Sequence, residues 1–75
     1  MNKERRRQLK KTISHLDSVI DEVDFLYDEE CESLDNYPEN LQGCENYEKI
    51  EENCETISDA INSLQEAKDL LEELL

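Results

Sequence analysis

Two ladders of apolar residues run through this chain and mirror each other around residue 40. The first is Leu9, Ile13, Leu16, Ile20, Val23, Tyr27 and Leu34, with Glu30 filling one slot. The second is Tyr47, Ile50, Cys54, Ile57, Ile61, Leu64, Leu71 and Leu75, with Lys68 filling one slot. Both climb by alternating threes and fours, the period of a helix that lays one seam against another helix. Paired antiparallel, the rungs match along the whole length: Leu9 with Leu71, Leu16 with Leu64, Val23 with Ile57, Glu30 with Ile50. The alternate rungs match as well: Ile13 with Lys68, Ile20 with Ile61, Tyr27 with Cys54, Leu34 with Tyr47. The expected fold is therefore all-α, an antiparallel, coiled-coil-like helical hairpin.

At 75 residues the chain holds one small domain, 1–75. Cores of this size rarely supply more than about 3–5 kcal/mol, so a staple or a partner subunit is commonly added. One Gly and one Pro are too little punctuation for a many-stranded β fold. The spacing predicts a helix from about 4 to 34, a turn over 35–44 and a helix from about 45 to 74. In the turn, Pro38 keeps Tyr37 out of helix. Asn36 and Glu39 have the form of a capping box before a short helical turn over 38–42. Gly43 is free to end that turn in the left-handed conformation. Leu34, Tyr37 and Leu41 are placed to cover the open end of the hairpin.

A further column flanks each ladder: Thr12, Val19 and Leu26 on the first helix, and Asn53, Ala60, Ala67 and Leu74 on the second. In the antiparallel register these columns lie side by side and make one broad apolar face. The other edge, where Lys10, Asp17, Asp24 and Cys31 face Glu72, Gln65, Ser58 and Glu51, is polar. A two-helix plank buries only its seam, and an exposed apolar face marks an interaction site. Two hairpins packed face to face through Val19, Leu26, Ala60, Ala67 and Leu74 form a four-helix bundle, so a homodimer or higher oligomer is expected. Glu30 and Lys68 sit in the seam and must reach outward or be paired.

The net charge of −13 averages over two unlike regions. Residues 1–11 carry six of the eight basic residues: Lys3, Arg5, Arg6, Arg7, Lys10 and Lys11. Residues 17–59 carry sixteen acidic residues and one basic residue, Lys49. Such a body repels nucleic acid and attracts proteins with basic grooves. Within it Phe25 stands opposite the seam among Asp21, Asp24 and Asp28. An aromatic ringed by carboxylates on a wet face is a candidate partner-binding anchor, although lone exposed aromatics are common. The basic tip opposes the helix dipole. Its simplest explanation is neutralisation by the acidic end of the second helix, with Lys10 level with Glu72. Its functional explanation is a phosphate site built from Arg5, Arg6, Arg7, Lys10 and Lys11, for a small phosphorylated ligand.

No catalytic constellation is present. Cys31, Cys44 and Cys54 lack metal or redox spacing and sit in acidic surroundings, and His15 lies far from all three. The Glu-x-x-His pattern of di-iron bundles and the Gly-rich phosphate loop are both missing. Neither an enzyme, a cofactor nor a metal site is expected. No run approaches a membrane span or a signal peptide, so the cytoplasm is the expected location.

The start Met1-Asn2-Lys3-Glu4-Arg5-Arg6, the turn Asp35-Asn36-Tyr37-Pro38-Glu39-Asn40-Leu41-Gln42 and the following Tyr47-Glu48-Lys49 resemble a group of small acidic two-helix proteins of phages, prophages and mobile elements of clostridial-type bacteria. The resemblance implies a non-enzymatic accessory or counter-defence protein acting in a bacterial host cell. Together these features lead to three expectations. One is an acidic inhibitor or nucleic-acid mimic that blocks a basic, nucleic-acid-binding target. The second is a sequestering protein for a phosphorylated ligand such as a signalling nucleotide. The third is a structural or assembly module.

Overall fold

A computed structural model describes all residues, 1–75. Helix α1 runs Lys3–Asp35 and helix α2 runs Glu45–Glu72, and the two pack against each other as a hairpin. The long axis is 60 Å, and the other two dimensions are 15 and 12 Å. That is a rod one helix thick and two helices wide.

Helix α1 begins where Asn2, in an extended conformation, accepts the Arg5 N–H on its side-chain oxygen at 2.8 Å. This cap satisfies one of the unpaired donors of the first turn. Glu4 adds a negative charge at the same end and holds Arg7 through both carboxylate oxygens, at 2.9 and 2.8 Å. No Gly or Pro interrupts the following thirty residues. The helix stops at Asp35 because the Tyr37-Pro38 step cannot stay helical. Asn36 closes it, donating its backbone N–H to the Glu32 carbonyl at 3.0 Å, while the Tyr37 N–H reaches the Leu34 carbonyl at 3.1 Å.

The turn differs from the expected capping box. Asn36 is the C-cap of α1, and the short 3-10 turn Glu39–Leu41 starts from Pro38 without a side-chain cap. Pro38 has no side-chain acceptor to cap with, and its carbonyl takes the Leu41 N–H at 3.0 Å. Gly43 takes φ 91°, the left-handed conformation its missing Cβ permits. Tyr37 plugs the open end: its ring meets Tyr47 edge-on with centroids 5.4 Å apart. Asn46 donates to its hydroxyl at 3.1 Å. Leu41 does not share in this cover and remains largely exposed.

The seam is the core. Ile13, Ile20 and Cys54 are buried, and Leu9, Leu16, Val23, Tyr27, Leu34, Tyr47, Ile50, Ile57, Ile61, Leu64 and Leu71 are half-buried. Leu75, the last rung by sequence, is exposed because α2 ends at Glu72, before it. A core one residue wide leaves nearly every side chain some contact with water.

The polar contacts across the hairpin depart from the expected rungs by about a turn. Lys68 Nζ reaches Asp17 at 2.8 Å, where Gln65 had been paired with Asp17. Cys31 meets Cys54, with sulfurs 3.7 Å apart, where Glu51 had been paired with Cys31. Asn53 donates to Glu30 at 3.0 Å instead of standing beside Leu26. In a helix every Cα–Cβ bond tilts toward the N-terminus, so a side chain covers the turn before its own Cα. In an antiparallel pair both partners lean this way, and contacting residues lie further along both helices than their Cα levels indicate.

Candidate functional site

The two polar seam residues come first, because they determine which charges remain free. Lys68 leaves the seam, and its side chain stays only 20% exposed while its ammonium pairs with Asp17. The hydrogen bond to Asp17 raises its pKa above the ordinary lysine value, against the opposing effect of desolvation. Glu72 lies 3.8 Å from the same ammonium. Glu30 is satisfied by Asn53. No buried side-chain polar atom lacks a partner.

The expected neutralisation of the tip does not occur in this form. Glu72 leans one turn back along its own helix to Lys68 and does not meet Lys10. The ion pairs of the chain are Arg7–Glu4, Lys68–Asp17 and Lys68–Glu72. Lys3, Arg5, Arg6, Lys10 and Lys11 therefore have no carboxylate within 4 Å. Lys3, Arg6, Arg7 and Lys10 line one shallow, open groove with Glu4. Of the proposed phosphate-binding residues, Arg7 alone is already engaged.

On the body, Asp21, Asp24 and Asp28 are exposed and unpaired, and Phe25 between them is 62% exposed. Positions 21, 24, 25 and 28 share one helical face over two turns, so α1 brings the four together. On the broad face Leu26 is 55% exposed, Val19 is half-buried, Ala60 and Ala67 are exposed, and Leu74 is exposed beyond the end of α2. Leu70, which sequence reasoning passed over, is exposed and stands one turn before Leu74 on the same side. Its signal was available: it falls off the ladder, yet it lies four residues from a face residue.

The cysteines divide into two environments. Cys54 is buried, and desolvation pushes its thiol up to about 11, with the neighbouring Cys31 adding to the rise. Tyr27 is raised as well, mainly by the neighbouring Cys31 thiol. Cys44, at the start of α2, shifts the other way. The Tyr37 hydroxyl 3.5 Å from its sulfur lowers its pKa, and the backbone N–H groups at the start of α2 help. No group of three or more His, Cys, Asp or Glu side chains gathers to hold a metal ion. No helix is long and apolar enough to cross a membrane. No protein family, curated protein or solved structure matches this chain.

Proposed function

We propose that this protein is a non-enzymatic binder whose acidic body occupies the basic groove of a nucleic-acid-binding protein and blocks it. The observation that carries this reading is the run of unpaired carboxylates around a largely exposed aromatic: Asp21, Asp24 and Asp28 about Phe25. The carboxylates supply long-range attraction and the ring supplies a desolvated anchor. The resemblance to small acidic proteins of phages and mobile elements fits an inhibitor acting in the cytoplasm of a bacterial host.

The charge density agrees with a mimic. A net −13 spread over 60 Å is about one charge per 5 Å of rod. A single nucleic-acid strand carries about one per 3.4 Å and a duplex about one per 1.7 Å. Two fully overlapped hairpins would double the density to about one per 2.3 Å, between strand and duplex.

Dimerisation through the Val19, Leu26, Ala60, Ala67 and Leu74 face into a four-helix bundle belongs to the same reading. A folded monomer of 8.9 kDa should expose about 4,800 Å², and this chain exposes 5924 Å². The excess of about 1,100 Å² is more than the roughly 800 Å² each partner gives up in a standard interface. Charge then chooses the orientation. With the hairpins antiparallel, the free cations of each tip meet the acidic turn end of the other copy. Parallel packing would crowd two basic tips together.

The test uses immobilised protein and a bacterial lysate. Proteins released by added duplex DNA and by rising salt support the mimic, because exposed charges are screened within about 8 Å at physiological ionic strength. Changing Asp21, Asp24 and Asp28 together to Asn should slow association, and Phe25→Ala should speed dissociation. Retention that ignores both salt and DNA rejects the reading. For assembly, Val19→Glu with Ala60→Glu should halve the mass measured by light scattering; an unchanged mass removes this face as the interface.

The unpaired cations lining the tip groove favour the runner-up, a sequestering role toward a small phosphorylated ligand. Calorimetry with a nucleotide panel tests it, with Arg6→Ala and Lys10→Ala as the decisive variants, since both line the groove and are free of carboxylates while Arg7 pairs with Glu4.

A further inference from the structure

Cys31 and Cys54 lie on different helices, yet their sulfurs are 3.7 Å apart and both are free thiols. The contact is built into the hairpin. The residue before each cysteine, Glu30 and Asn53, forms a hydrogen bond of 3.0 Å across the same gap. The helices are thus held at this level on two adjacent lines. Closing the sulfurs to the roughly 2.05 Å of a disulfide needs a movement of about 1.7 Å, which a change of side-chain torsion can supply. Cys44 cannot take the place of Cys31 as the partner of Cys54. It is the residue before α2, ten residues before Cys54 and about 15 Å away along the axis, and faces Tyr37.

We propose that Cys31 and Cys54 are a paired oxidation site, converted to an inter-helix disulfide by a low-molecular-weight disulfide such as oxidised glutathione. Cys31 is the entry thiol because it is half-buried while Cys54 is buried. Its sulfur, after losing its proton, attacks one sulfur of the oxidant, forms a mixed disulfide and releases one small thiol. Cys54 then loses its proton, attacks the Cys31 sulfur and releases the second small thiol. The protein gives up two electrons and two protons, and the oxidant becomes two thiols. The high pKa of Cys54 makes the second step slow near neutrality and faster as the solution becomes alkaline. The product fastens the two helices together near the turn end, on the edge away from the Val19 and Leu26 face.

The experiment uses the full chain with Cys44→Ser, which removes the competing thiol. After incubation with oxidised glutathione, acid quench and alkylation, the intact mass should be lower by two hydrogens with no alkylated cysteine. A peptide joining residues 31 and 54 should appear after proteolysis. The oxidised form should melt about 10–20 °C higher, since the bridge closes the loop between the helices in the unfolded chain. Cys31→Ser in the same background should abolish both the mass loss and the shift. A stable glutathione adduct on Cys31 without ring closure would overturn the proposal. So would a disulfide found only between chains.

Discussion

The seam should carry the stability of the single hairpin, and two truncations measure this against the broad face. Ile20 is 8% exposed at the middle of the seam. Large-to-small core changes of this type cost about 2–5 kcal/mol. The low end, about 2–3 kcal/mol, applies to Ile20→Ala for two reasons. Its neighbours Leu16 and Val23 are only half-buried, so water and side chains can refill part of the space. Alanine also propagates a helix better than isoleucine by a few tenths of a kcal/mol. For a domain of this size 1 kcal/mol moves the midpoint by about 4–8 °C, so the loss should be about 10–20 °C. Leu26→Ala removes a side chain already more than half exposed and should cost under about 1 kcal/mol in an isolated hairpin. If a second copy covers this face, the Leu26→Ala loss should grow with protein concentration and approach the Ile20→Ala loss. The assay is thermal unfolding by circular dichroism at two widely separated concentrations. Ile20→Ala costing less than Leu26→Ala at the lower concentration would refute the assignment of the seam as the core.

Two further outcomes follow from single sites. The first is alkaline unfolding: Cys54 is raised from 9.0 to about 11, and Tyr27 and Lys68 are raised above 10.0 and 10.5. In each case the folded state holds its proton more tightly than the unfolded chain, so its contribution is complete below the ordinary value and is lost as pH rises through the shifted one. The melting temperature should therefore hold up to about pH 9 and fall between pH 9 and 11, with Cys54 alone contributing about 2 kcal/mol of the loss. Cys54→Ala should flatten the first part of that fall in a pH series of melts. The second is at the turn: Gly43 has φ 91°, and a Cβ added there would meet nothing within 4 Å. Gly43→Ala should then cost only the backbone penalty, about 1–2 kcal/mol, and Gly43→Asn less. Equal melting of all three proteins would contradict the left-handed turn.

The seam was legible because hydrophobic periodicity records directly which side of each helix leaves water. The mirror of the two ladders was enough to join them as a hairpin. What periodicity does not record is the reach of the side chains across the gap. Cys31 reads as a polar-edge residue opposite Glu51, yet it meets Cys54, because both cysteines lean toward the N-termini of antiparallel helices. The same lean takes Lys68 to Asp17 and Asn53 to Glu30. The turn was read correctly at Gly43 and incorrectly at Asn36. A left-handed glycine follows from its missing Cβ, whereas Asn36 can serve either the helix behind it or the turn ahead.

The charge pattern shows where sequence alone misjudged the tip. Reading levels off the ladder pairs Lys10 with Glu72 and lets the hairpin neutralise its own ends. The folded chain instead gives Glu72 to Lys68, and Lys68 to Asp17, so the cross-helix ion pair lies on the polar edge beside the seam and the tip keeps its cations. A cluster of Lys3, Arg5, Arg6, Lys10 and Lys11 repels itself and also opposes the helix dipole. None of these five cations is paired with a carboxylate of its own hairpin. In the antiparallel face-to-face dimer proposed above, the carboxylates of the turn end on the second copy would lie against this cluster. That arrangement also sends the two tips to opposite ends of the assembly. It therefore works against the convergence of tips that a single phosphate would need. In the proposed dimer the acidic body, the apolar face and the basic tip would all serve partner binding, in competition with the phosphate-site proposal.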